Sequence, residues 1–302
     1  MNLRASFVPV FAAALAAVAC SQQPASADAK QPASQQDPVA GKQLAQELKA
    51  LFAKEKIEID LQKGTVTVPA VVNAPPDPIE YLLIHRKGKK HEAMFFTESK
   101  PSVLNSALLL VGLVPGKNAS YREKDPPPTL EEIEKGADPI VITPPQGQPF
   151  WMTVAWNDDQ GNPVARCVED LIGDLLTRAP VRDASFIYIG GRMASIYKGE
   201  PEVYVADFEG NLVSLCYLTP DNHLGTMHHE RSRNDENWWL TDMVPAAGTN
   251  VRFSFHREKP ALLLEREKRL AAEDAAAVDK PKTDAPQTDK TAPGIPAPGT
   301  DK

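Results

Sequence analysis

The stretch Ile57-Glu58-Ile59-Asp60-Leu61-Gln62-Lys63-Gly64-Thr65-Val66-Thr67-Val68 decides the fold class. Apolar and polar residues alternate on both sides of Lys63-Gly64, the period of a half-buried strand. The Lys-Gly pair supplies the turn, so the stretch reads as strand, turn, strand. Upstream, Leu44, Leu48, Leu51 and Phe52 recur at helical spacing and predict an amphipathic helix over 41–56. Downstream, Pro75-Pro76-Asp77-Pro78 breaks the chain. Ile79 to His85 and His91 to Thr97 then predict a hairpin around Arg86-Lys87-Gly88-Lys89-Lys90. Pro101 opens a helix carrying Val103, Leu104, Ala107, Leu108 and Val111, with Gly112 as its stop.

Further on, Lys124 to Pro149 reads as a proline-rich excursion. Phe150 to Trp156 and Val164 to Cys167 are strands flanking a turn at 158–162. Glu169 to Thr177 is ambiguous. Phe186 to Ile189, Val203 to Ala206, Leu212 to Leu218 and Val251 to Phe255 are further strands. Pro260 to Ala277 predicts a charged helix. The expected fold is α+β: a mainly antiparallel β-sheet with one packed helix near 102–112, flanking helices and disordered termini. The expected organisation is a leader over 1–20, a disordered tether over 21–40 and a globular domain over 41–258. A charged helix and Pro-rich disordered tail follow over 259–302.

The chain has 302 residues, and 42% of them are hydrophobic, enough for a sizeable core. The net charge of -7 repels phosphate backbones, so nucleic acid is not an expected partner. The leader sets the compartment. Arg4 precedes an apolar run from Phe7 to Val18, too short to cross a bilayer but of signal-peptide length. It ends in Ala17-Val18-Ala19-Cys20, which resembles a lipobox with Cys20 as the lipidated residue. Several acyl chains on one cysteine anchor a protein stably. In a Gram-negative host, Ser21 after that cysteine favours passage to the outer membrane. In an oxidising compartment Cys167 and Cys216 leave two alternatives, a disulfide or two buried thiols.

Several segments also resemble the YdjY-domain family. They are Lys89-Lys90-His91-Glu92-Ala93, then Lys100-Pro101-Ser102, then Ala107-Leu108-Leu109 with Gly112, Pro115 and Gly116. Val154-Ala155-Trp156, Phe186 to Gly190, Tyr204 to Gly210 and Pro245 to Val251 follow in the same order. The resemblance covers roughly 57–257. It implies a secreted or lipid-anchored bacterial protein and implies no reaction. Cysteine-rich relatives suggest iron–sulfur chemistry, which this chain lacks the cysteines to support.

The chemistry-bearing residues form three groups. His85, His91 and Glu92 lie on either side of the basic turn, where two imidazoles and a carboxylate suit a transition metal. Alternation on a strand separates His91 from Glu92, so the bland alternative is a sheet histidine and an exposed glutamate. His228, His229 and Glu230 sit in a segment without clear secondary structure and lack zinc-helix spacing. Trp238 and Trp239 offer an aromatic platform for sugar or peptide, or one core and one surface tryptophan. Gly190-Gly191-Arg192 is a bend rather than a phosphate loop. With no strong catalytic pattern and no cofactor motif, the leading expectation is a non-enzymatic binding module. Its partners are the membrane, through the N-terminal lipid, and an envelope protein or glycan. The rival is a metal-dependent or redox-linked enzyme on one of the histidine groups.

Overall fold

The hairpin around Lys63-Gly64 forms. Glu58–Asp60 pairs antiparallel with strand β1 (Thr65–Val72), Ile59 lying opposite Val66. A computed structural model describes residues 38–221 and 223–278. The leader with Cys20, the tether up to residue 37 and the tail beyond 278 lie outside the described residues. Backbone packing divides the chain into 1–46 and 47–302, and the fold below is that of the larger unit.

Seven more strands join β1: β2 (Tyr81–His85), β3 (Ala93–Thr97), β4 (Pro149–Asn157), β5 (Ser185–Tyr188), β6 (Asn211–Ser214), β7 (Gly225–His228) and β8 (Asn250–His256). Their order is β1-β8-β4-β5-β7-β6-β2-β3, and β3 pairs back onto β1 through Ala70 and Thr97. The sheet is therefore a closed eight-stranded barrel. Its architecture is mixed α/β: the expected mainly antiparallel sheet with one packed helix is present, but it carries parallel pairings and closes on itself. Closure leaves the barrel strands no free edge. Inward residues fill the interior: Val66, Val68 and Val72 from β1, Phe150, Met152 and Val154 from β4, and Val251, Phe253 and Phe255 from β8. Phe95 meets Phe253 edge-on at 5.7 Å between ring centres, and Phe150 stacks on Phe255 at 6.2 Å.

Two of the eight pairings are parallel, β2 with β3 and β6 with β7. The first overturns the hairpin expected from the basic turn. The connection 86–92 carries the chain back along β2 instead of reversing it, through a short 3₁₀ turn at Lys90–Glu92. Seven extended residues reach about 23 Å, more than the roughly 17 Å of a five-residue strand. The return runs tight against the start of β6. A Cβ on Gly88 would stand 2.8 Å from the Gly210 carbonyl oxygen, and Gly210 itself has φ 81°. Glycine is required at both places.

Helix α1 (Pro38–Lys54) ends inside the larger unit, where Leu48 and Leu51 pack on the core and Phe52 is buried. Helix α2 (Pro101–Leu110) starts with proline at its first turn, buries Val103, Leu104, Ala107 and Leu108, and stops at Gly112 with φ 91°. Asn105 on α2 accepts a 2.6 Å hydrogen bond from the Tyr188 hydroxyl, tying the helix to β5. Residues 203–206 do not form one strand. Only Val203–Tyr204 is extended, and a short helix, α3 (Val205–Glu209), follows. Ser120–Glu123, just before the proline-rich excursion, pairs with Ile140–Thr143 inside it, with a capped turn of helix between them. Helix α4 (Ala261–Val278) follows β8 as expected. No helix among the described residues is long and apolar enough to cross a membrane.

Candidate functional site

Parallel pairing of β2 and β3 has a direct chemical consequence. Tyr81 lies opposite Ala93, so the residues just before each strand, Glu80 and Glu92, emerge side by side. The Glu80 N–H donates to the Glu92 carbonyl at 2.9 Å, and the Leu215 N–H donates to the Glu80 carbonyl at 2.7 Å. The side chains are only 18% and 25% exposed. Oε2 of each carboxyl is buried without a hydrogen-bond partner. Lys89 Nζ stands 3.7 Å from both of these oxygens, beyond hydrogen-bond length. His91, largely exposed, lies 3.1 Å from the outer oxygen of Glu92.

Burial, then the adjoining Glu92 carboxyl, push the Glu80 carboxyl up to about 7, against the pull of Lys89. Near neutral pH the Glu80 carboxyl is therefore poised between its protonated and ionised forms. The Tyr81 hydroxyl beside them is also buried and without a partner, and Lys89 sits 5.6 Å above its ring. Burial raises the Tyr81 phenol and the nearby Cys216 thiol alike, with Glu80 adding to both. Both stay protonated, so Cys216 is a poor nucleophile. Three buried polar atoms without a hydrogen-bond partner lie together here, which makes this the candidate site, since native proteins satisfy nearly all such groups.

The residues read from the sequence scatter around this pair. His85 ends β2 opposite Thr97, whereas His91 precedes β3 at the other end of the barrel, so the two imidazoles do not share a site. His85 Nδ1 accepts the Lys87 N–H at 3.3 Å, and burial lowers its pKa. His228 ends β7, whereas His229 and Glu230 follow it outside any strand or helix. His228 is exposed. His229 is buried, with its ring edge-on to Trp238 at 5.3 Å and Nδ1 accepting the Arg231 N–H. Glu230 points away and pairs with Arg231 at 2.6 Å. Among the described residues no three His, Cys, Asp or Glu side chains form a metal-binding group. Alternation separates the tryptophans: Trp238 is fully buried and Trp239 is 36% exposed, so they present no joint platform. Cys167 and Cys216 are not bonded to each other; both are buried thiols.

Neither Glu80, Tyr81 nor Lys89 is among the site residues read from the sequence, although Lys89 opens a segment that carries the family resemblance. Their signal was the glutamate before each of two apolar runs, which means nothing until the runs pair in parallel. At the opposite end of the barrel His223, fully buried, lies 2.7 Å from Glu209 and joins the end of α3 to the start of β7. Burial lowers the His223 pKa, and Glu209 opposes that shift.

A family model described as the YdjY domain matches residues 57–256, well over half of the chain. No curated protein and no solved structure matches it.

Proposed function

This chain belongs to the YdjY domain family, and from that premise we propose that it is an exported lipoprotein, anchored through Cys20, whose barrel binds a cationic group at the Glu80–Glu92 pair. The partner is an envelope protein or glycan presenting an ammonium or guanidinium. One observation carries this reading. Lys89 is a built-in cation placed evenly between two buried oxygens, yet it stands 3.7 Å from each and satisfies neither. A better-placed external cation displaces it and makes charge-assisted hydrogen bonds to both. The leader supports the location: Arg4, a short apolar run and small residues before Cys20.

Two measurements test the reading. In the full chain, Cys20→Ser moves the protein from the membrane to the soluble fraction; retention of acyl label by that variant counts against the anchor. The terminally blocked peptide acetyl-Gly-Lys-Gly-amide binds the purified protein and its Nε-acetylated form does not. Glu92→Gln weakens binding at least tenfold, and affinity for the lysine peptide rises with pH through about 7 as Glu80 ionises. Equal binding of both peptides sinks the site.

The same pair affects stability. An unfolded glutamate ionises near 4.5, while folded Glu80 holds its proton up to about 7. Folding is therefore disfavoured progressively as pH rises between those values, and the cost stays constant above them. Water reaches the pair, so the screened cost is about 1–2 kcal/mol. Glu80→Gln is expected to match the native protein near pH 4.5 and to exceed its stability by that amount at pH 8. Thermal melts across this range read the difference directly, and a constant offset at all pH values contradicts it.

A further inference from the structure

A cavity of about 650 Å³ opens between the turn after β7, the segment 174–183 and α4. His229 stands in its wall and is only 6% exposed. Nδ1 of the ring accepts the Arg231 backbone N–H at 3.1 Å, so the proton of the neutral imidazole sits on Nε2. Burial lowers the His229 pKa, which keeps the ring neutral at pH 7. Among the described residues Nε2 has no hydrogen-bond partner, yet it is not sealed from solvent as the partnerless buried atoms elsewhere are. The ring therefore offers one N–H donor to the cavity.

Asp183 supplies an acceptor in the same wall. It is exposed, and among the described residues its carboxylate has no ion pair and no hydrogen bond. The cations of the wall are already engaged, Arg182 with Asp274 at 2.7 Å and Arg231 with Glu230 at 2.6 Å. Asp174 also pairs with Arg231, so carboxylates outnumber guanidiniums in the wall, which repels anions. An ammonium cannot accept a hydrogen bond from His229. A hydroxyl oxygen does both, accepting from Nε2–H and donating to Asp183. An adjoining hollow that shares Asp174, Ala179 and Pro180 carries Trp239, whose 36% exposed ring gives an apolar face. Hydrogen-bonding groups beside an aromatic face suit the two sides of a sugar ring. We propose that this cavity binds a neutral saccharide, one hydroxyl bridging His229 and Asp183 and the sugar body lying toward Trp239. The site shares no residue with the Glu80–Glu92 pair, so either proposal fails independently of the other.

The methyl glycosides of glucose, galactose and mannose are the probes, titrated into the full chain at pH 7 with the nitrogen NMR shifts of the His229 ring as the readout. At least one binds with Kd on the order of 1 mM. It moves the Nε2 signal, which shows an attached proton before any sugar is added. Asp183 has φ 56°, a backbone that glycine adopts freely, so Asp183→Gly removes the carboxylate without strain and weakens that sugar at least tenfold. His229→Gln keeps an N–H donor and most of the affinity, whereas His229→Leu loses it. No shift with any of the three sugars, or a ring proton on Nδ1, overturns the proposal. So does unchanged affinity in Asp183→Gly, a surface variant that tests the site even if His229→Leu unfolds. Equal binding of N-methylacetamide or methylammonium at the His229 signal also overturns it, since these assign the cavity to a peptide or a cation.

Discussion

Replacing Arg266 with alanine is expected to lower the stability of the folded unit by about 3 kcal/mol. Arg266 is 7% exposed and reaches from α4 into the barrel wall. Its Nε donates to Asp170 at 2.6 Å and its Nη2 donates to the Val181 carbonyl at 2.8 Å. Alanine leaves the Asp170 carboxylate, itself 7% exposed, without its main partner, and leaves a buried carbonyl unsatisfied. Removing one member of a buried pair costs about 3–5 kcal/mol. The lower end applies because Arg269 lies 3.5 Å from the same carboxylate and takes up part of the charge. Urea titration checks the size. The paired change Arg266→Met with Asp170→Leu removes both charges and is expected to recover most of the loss. A loss below 1 kcal/mol in Arg266→Ala would mean that α4 is not docked through this contact.

Truncating Phe253 to alanine is the second large effect, a loss of about 3–5 kcal/mol. Phe253 is fully buried on β8, with Phe255 at 5.2 Å and Phe95 at 5.7 Å between ring centres. The contact with Phe95 is diagnostic. Strand β1 lies between β8 and β3, so these rings meet across the curved interior rather than on neighbouring strands. In a double-mutant cycle, Phe95→Ala and Phe253→Ala are expected to couple by about 0.5–1.5 kcal/mol. Additive losses would argue for a flatter sheet in which β1 and β3 do not pair.

These two variants probe different joints. Phe253 reports on the barrel core that the family domain shares, and Arg266 on a helix added after it. The Glu80–Glu92 pair belongs to the first. A variant that detaches α4 should therefore leave the pH dependence of Glu80→Gln in place.

Local pattern in the sequence was enough for the strand pair around Lys63-Gly64, the helix opened by Pro101 and stopped by Gly112, the charged C-terminal helix, and the alternation that puts Trp238 in and Trp239 out. The ordered segments from Lys89 to Val251 were enough for the family. Periodicity works here because each side chain reports only whether its own face meets water. It carries no record of which strand lies alongside or in which direction. The basic connection 86–92 is as compatible with a reversal as with a return, so only tertiary packing made β2 and β3 parallel, closed the barrel through Ala70 and Thr97, and set Glu80 beside Glu92 while parting His85 from His91. Likewise, the strand character of His228 was hidden in a segment too polar to show a buried face. It became visible once Thr226 and Met227 were found packed between β5 and β6, where long-range pairing rather than local composition decides the backbone.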